Sequence, residues 1–282
     1  MKVEEFNDIL YEKDESTGIV MVTLNAPKRK NAMSFITSLE LFYAVQAMEE
    51  DDGARAMIIT GAKDPDCGDP TKEAFSSGGY FTPELFKNIP EEIKDEVDLT
   101  DLAAKRLCLK LFYFEKPVIA AINGMAIGAG FTMPLSGADL IYMSEHAWIE
   151  FPFVGRLGIL PEFALTYFLP RMMGFQKAKE IVYFSKRILA QQALEWGWVN
   201  EVVPHEELIP HAQKMALKLI PPEGPGLAVK LAKRAFHQPY VDAVTKALGV
   251  ENQGLNQAMK SHDFSEGLKA RKEKRPPVFK GE

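Results

Sequence analysis

The chain has 282 residues, 46% of them hydrophobic, with 33 basic against 39 acidic side chains and a formal net charge of -6 at pH 7. That is enough for one large α/β domain, or a domain with a helical extension, around a substantial core. The acidic balance argues against a general nucleic-acid binder, two cysteines are too few for a disulfide framework, and no apolar run reaches the roughly 18 residues of a membrane span.

The first ten residues carry Lys2, Glu4, Glu5 and Asp8 and lack the basic start and apolar stretch of a secretion signal, so a cytoplasmic location is expected. Thr17–Leu24 reads as a largely buried strand ended by the turn residues Asn25, Ala26 and Pro27. Ser34 can cap a helix in which Phe35, Leu39, Phe42 and Val45 or Met48 share a face, until the acidic run 49–53 closes it. Ala56–Thr60 is a short buried strand. The segment 63–73 is a polar loop rich in breakers, expected at the surface. Ser77, Gly78 and Gly79 follow it, and 82–101 alternates prolines and charges with single apolar residues, as irregular or short helical structure does. Strand, helix, strand recurs with 117–122, the stretch after Gly130 and 140–143, which predicts right-handed α/β winding. After Pro204, the segments 205–220, 226–238, 240–260 and 264–274 read as helices. Pattern alone fits either self-association or packing on the chain's own core. The expected division is therefore 1–204 and 205–282.

The stretch from Lys116 to Gly130 is an apolar strand that breaks into Gly124, Gly128 and Gly130. Glycines there remove the side chains that keep a ligand away from main-chain amides. The spacing is G-x-x-x-G-x-G, whereas a dinucleotide turn needs G-x-G-x-x-G, and no Gly-Lys-Ser or Gly-Lys-Thr supports a P-loop. A closely packed turn and an oxyanion hole remain, and the second needs a partner segment.

Placed before Asn123-Gly124-Met125-Ala126-Ile127-Gly128-Ala129-Gly130, the run Phe75-Ser76-Ser77-Gly78-Gly79-Tyr80 resembles the paired oxyanion-hole segments of the crotonase, or enoyl-CoA hydratase/isomerase, superfamily. The likeness extends through 25–33, 138–141, 193–203 and 266–276. It departs at Arg271, where the family commonly has an aromatic residue, and in the loop after Gly61. The resemblance implies an α/β fold: a crotonase-type spiral of repeated ββα units, forming an acyl-CoA-binding catalytic core, then helices that drive assembly into trimers or stacked hexamers. It also implies acyl-CoA thioester substrates, no cofactor beyond the coenzyme A that is part of the substrate, no metal, and neither nucleic acid nor membrane as partner. The matching oxyanion donors are the backbone N–H groups of Ser77 and Ala129; Lys28 and Lys30 match the basic residues that approach CoA phosphates, and Gly78, Gly79, Gly130 and Thr132 complete the binding set.

The reaction is then decided by carboxylates facing the acyl chain. The family's hydratases use two glutamates; here the first position is Thr132, and the second falls on Phe153 or Val154, depending on register. The segment 150–162 resembles instead the peroxisomal-type Δ3,Δ2-enoyl-CoA isomerase pattern, with Glu162 at the place of its glutamate. The expectation is that Glu162, among Phe163, Leu160, Ile159 and Phe131, moves a proton from C2 to C4 of a 3-enoyl-CoA. Alternatives are a hydratase with a relocated water-activating group and a catalytically silent acyl-CoA-binding homologue. Glu150 is a lesser candidate acid, and Phe81, Leu85, Phe86, Phe112, Phe151, Phe153 and Tyr167 are candidates for the acyl pocket.

Overall fold

The computed structural model describes residues 1–80, 101 and 105–282. The segment 82–100 and the pocket candidates Phe81, Leu85 and Phe86 lie outside the described residues.

Strand β1 (Ile9–Lys13) pairs antiparallel with β2 (Ile19–Leu24), and β3 (Ala56–Gly61) joins β2 in parallel. A smaller sheet begins with β4 (Ala74–Ser76). The chain then alternates: β5 (Val118–Ile122) returns to the large sheet, β6 (Met125–Ile127) to the small one, β7 (Leu140–Ser144) to the large one and β8 (Trp148–Glu150) to the small one. With β9 (Ile188–Leu189) and β10 (Glu201–Val203), the sheets run β1-β2-β3-β5-β7-β10 and β4-β6-β8-β9. Each turn of the chain thus gives one strand to each sheet.

The large sheet is covered on both faces, which is why its parallel strands are continuously apolar rather than alternating. One set of alternate residues, including Val20, Val22, Met57, Ile59, Val118 and Ala120, packs with Leu41, Ala44, Val45 and Met48 of α1 (Phe35–Glu50). The other set, Ile19, Ala56, Ile58, Ile119, Ala121 and Tyr142, packs with Leu208, Ala212 and Ala216 of a later helix, spanning Leu208–Leu217. That helix belongs to the sheet's cover although it lies beyond residue 204. Ser34 starts α1 as the spacing predicts: its Oγ accepts the Thr37 N–H at 3.1 Å while Thr37 Oγ1 accepts the Ser34 N–H at 2.9 Å.

The remaining helices are α2 (Leu107–Tyr113), α3 (Ala129–Gly137), α4 (Leu165–Met173), α5 (Phe175–Phe184), α6 (Ala190–Glu195), the Leu208–Leu217 helix as α7, α8 (Gly226–His237), α9 (Val241–Ala258) and α10 (His262–Glu273). Helix α3 starts earlier than its sequence suggests, at Ala129, so Pro134 falls beyond the first turn and removes the N–H that would serve the Gly130 carbonyl. The 63–73 loop is also less superficial than its composition predicts. Its last residue, Glu73, is buried, receives the Asn123 side-chain amide at 3.1 Å and lies 3.4 Å from His205.

Candidate active site

The small sheet brings three loops together. β4, β6 and β8 are parallel neighbours, with Ser76 opposite Ala126 and Ile127 opposite Glu150, so the segments that leave their carboxyl ends share one edge. These are 77–79, 128–129 and the longer path from Phe151 to Glu162. Gly78 has φ 83°, and a Cβ there would fall 2.5 Å from the Ile127 carbonyl oxygen, so the turn after β4 requires glycine. Gly130 serves the same approach from the other side, since its Cβ would fall 2.6 Å from the Ser76 carbonyl oxygen. It packs against β4, and its neighbour Ala129, not Gly130, lines the pocket.

The backbone donors at this edge differ from the expected pair at one residue. The Ser77 N–H donates to the Lys30 carbonyl at 2.8 Å, because Ser77 continues the edge of β4 against 30–33, and so it is spent. Gly78 donates to Ser76 Oγ at 3.1 Å, and Tyr80 to the Met33 carbonyl at 2.8 Å. The Gly128 N–H goes to the Glu150 carbonyl at 2.9 Å. Gly79 and Ala129 remain: both line the pocket, and neither N–H has a partner among the described residues. On the β4 loop the open donor is Gly79, not Ser77. Ala129 adds the first residue of α3, where the helix N-terminus contributes partial positive charge.

Glu162 lines the same pocket together with Gly79 and Ala129. It is 9% exposed, and no described residue offers its carboxylate a hydrogen bond or an ion pair. Burial, reinforced by the negative charge of Glu251, pushes its carboxyl up to about 7. The two residues after it, Phe163 and Ala164, both adopt left-handed backbone, with φ 59° and 55°. Such a pair outside glycine persists only where its surroundings fix it. Glu251 of α9, 2% exposed, does so: its carboxylate accepts the N–H groups of Ala164 and Thr166, each at 2.8 Å, and the Thr166 hydroxyl at 2.6 Å. Glu251 carries no signal in the sequence, since a glutamate inside an amphipathic helix reads as a solvated side chain.

Other expected site residues fall elsewhere. Thr132 is buried on α3, its hydroxyl without a partner among the described residues, yet it is not among the residues lining the Glu162 pocket. Lys28 pairs with Asp64 and Asp66 of the polar loop, and Lys30 Nζ donates to the Lys72 carbonyl at 3.1 Å; both lie on the β4 side of the site. Ile159 and Phe163 do face Glu162, but Leu160 points at Gly254 of α9, and Phe131 packs with Phe151 and Trp198 in the core. Of the described pocket candidates, Phe153 lines the cleft, Phe112 stacks on His237, and Phe151 and Tyr167 are core. Glu150 is buried, with Arg156 Nε at 2.9 Å, and desolvation raises its carboxyl against the pull of neighbouring arginines. Among the described residues no cluster of His, Cys, Asp and Glu is arranged to hold a metal ion, and no helix is long and apolar enough to cross a membrane.

Two unpaired N–H donors beside one unpaired, buried carboxylate can polarise a carbonyl and move a proton on the adjacent carbon. Comparison with known proteins agrees with that chemistry. Residues 14–282 match the sequence family described as enoyl-CoA hydratase/isomerase. The chain is 31% identical over 271 residues to a short-chain-enoyl-CoA hydratase of Clostridium acetobutylicum, covering 96% of this chain and 97% of that one. It is 30% identical to a 1,2-epoxyphenylacetyl-CoA isomerase of Escherichia coli, covering 94% and 95%. The crystal structure of an enoyl-CoA hydratase/isomerase from Pseudoalteromonas atlantica superposes with a TM-score of 0.81 at 25% identity, over 97% of this chain and 100% of that one.

Proposed function

The chain belongs to the enoyl-CoA hydratase/isomerase family, and from that premise we propose that it converts a 3-enoyl-CoA to the conjugated 2-enoyl-CoA, with Glu162 as its single acid–base group. The observation that carries this reading is the lone Glu162 carboxylate in one pocket with the open N–H groups of Gly79 and Ala129. In this cycle the thioester oxygen sits between the two N–H groups. Ionised Glu162 removes a proton from C2, the electron pair delocalises through the carbonyl onto the thioester oxygen and through the C3–C4 double bond onto C4 as a dienolate, and the protonated Glu162 delivers that proton to C4. The double bond then lies between C2 and C3, and no water is consumed. A carboxyl near 7 suits both half-reactions, since it is a competent base at neutral pH and its conjugate acid still donates. The paired donors meet charge only as it develops, which is where such donors act most strongly.

Lys28 and Lys30, beside the β4 loop, are the proposed partners of the CoA phosphates; the exposed pairing of Lys28 with Asp64 and Asp66 is weak enough to be exchanged for a phosphate. The proposed cycle draws on no cofactor. A cytoplasmic enzyme assembled as a trimer or a hexamer completes the reading; the assembly is supported by Leu227 and Leu231, one turn apart on α8 and exposed among the described residues.

Hydratase-named relatives favour a second reading, hydration of a 2-enoyl-CoA. Ultraviolet absorbance separates the two. Appearance of the conjugated thioester from a synthetic 3-enoyl-CoA, reduced about a thousandfold in Glu162→Gln, supports isomerisation. Rapid loss of the conjugated absorbance from a 2-enoyl-CoA, with no isomerisation of the 3-enoyl compound, overturns it.

A further inference from the structure

Beside the Glu162 pocket lies a second cavity of about 680 Å³, sharing Ile127, Pro152 and Leu157 with it. Its floor is part apolar, but its charged lining is one-sided: Arg156, Arg187, Arg271, Lys274 and Arg275 face a single carboxylate, Glu150. Two of these cations are already matched, Arg156 by Glu150 at 2.9 Å and Arg275 by Glu266 and Glu273. Among the described residues no carboxylate lies within ion-pair distance of Arg187, Arg271 or Lys274, although the two arginines act on the Glu150 charge from further away. Arg187 is nevertheless held in place, its guanidinium carbon 3.8 Å from the centroid of the Trp148 ring. Cations gathered in a concavity repel one another, and an anionic ligand relieves that repulsion.

Topology indicates which end of a substrate reaches the cavity. Lys28 and Lys30 flank the β4 loop, whereas the cavity is built on β8, on Arg187 beside β9, and on α10. In the sheet order β4-β6-β8, Ala129 at the end of β6 lies between them. A thioester held at Gly79 and Ala129 with its CoA toward β4 therefore has its acyl group directed toward β8.

We propose that this cavity binds the terminal carboxylate of an acyl-CoA whose chain carries a second carboxyl group, with Arg187, Arg271 and Lys274 as its partners. The assignment rests on the reading that the reacting thioester lies against Gly79, Ala129 and Glu162. It makes Arg271, one of the places at which the sequence departs from its resemblance, a specificity determinant.

The test is a binding measurement with saturated thioesters, which cannot turn over: calorimetric titration of the full-length protein with adipoyl-CoA and with hexanoyl-CoA. Adipoyl-CoA is expected to bind roughly tenfold more tightly, with the preference shrinking as salt is raised. Arg187→Leu and Arg271→Leu each lower the affinity for adipoyl-CoA about fivefold more than that for hexanoyl-CoA, and Arg271→Lys retains most of the preference. Wild-type protein without a preference overturns the proposal. So does equal weakening of adipoyl-CoA, hexanoyl-CoA and free CoA in the leucine variants, which assigns the cations to the CoA phosphates. Because binding is read without turnover, a retained preference in a protein that fails to isomerise 3-enoyl-CoA counts against the proposed reaction and leaves this assignment standing.

Discussion

Glu162 and Glu251 are two buried carboxylates with opposite surroundings, one without donors and the other holding three. The free enzyme needs Glu162 ionised to act as a base, so kcat/KM for isomerisation is expected to rise tenfold per pH unit below about 7 and level off above it. A profile already flat at pH 5 would remove Glu162 from the base role. Stability runs the other way. The unfolded carboxyl releases its proton near pH 4.3, while the folded one holds it up to about 7, so Glu162 lowers stability progressively as pH rises across that window. Glu162→Gln should therefore raise the melting temperature more at pH 8 than at pH 5. Burial pushes the Glu251 carboxyl up to about 7 as well, so the two groups lose their protons over the same range; Glu251→Gln removes the charge that opposes ionisation of Glu162, and the acid limb of the profile should move to lower pH. Glu251→Ala leaves the buried Ala164 N–H unpaired, at about 1–3 kcal/mol, and removes the part-buried bonds from the Thr166 N–H and hydroxyl. Denaturant unfolding measures that loss, and an unchanged midpoint would mean that the left-handed turn at 163–164 holds itself.

Among the elements, the contact between the start of α3 and the end of β4 sets the distance between the two open donors. It depends on Gly130, whose hydrogen-only Cα lets the Ser76 carbonyl approach. Gly130→Ala is expected to destabilise the fold by about 1–3 kcal/mol and to reduce turnover about a hundredfold or more by separating Gly79 from Ala129. Wild-type turnover together with wild-type stability would show that the helix can shift without cost to the site. At this scale the sequence was informative about regular structure and weak on what happens between elements. The Ser34 cap and the apolar strands are local patterns, whereas the bond from Ser77 to Lys30 joins segments far apart in the chain. No periodicity reveals that Ser77 rather than Gly79 has spent its N–H.

For the whole molecule, the exposed apolar face of α8 carries the oligomer prediction. Leu227 is 71% exposed and Leu231, one turn on, 49% exposed, a poor arrangement for a helix that stays in water. Sedimentation equilibrium should give a mass that is three or six times the 31.6 kDa chain, and Leu227→Asp combined with Leu231→Asp should shift it toward the single chain. A monomeric wild-type protein would show that α8 tolerates this exposure.

By itself the sequence determined the α/β winding and the glycine-broken segment after β5, because each rests on the order and type of neighbouring residues, and its resemblance to the isomerase pattern made Glu162 a candidate. Tertiary structure decided which amides stay open, which carboxylate is left without donors and which cations lack partners. Those properties depend on partners supplied by distant segments: Lys30 for Ser77, Glu251 for the turn after Glu162, and α10 for the cavity beside β8. A hydrogen bond or an ion pair between remote residues leaves no mark in either local sequence, so only the fold shows which groups remain free for a ligand.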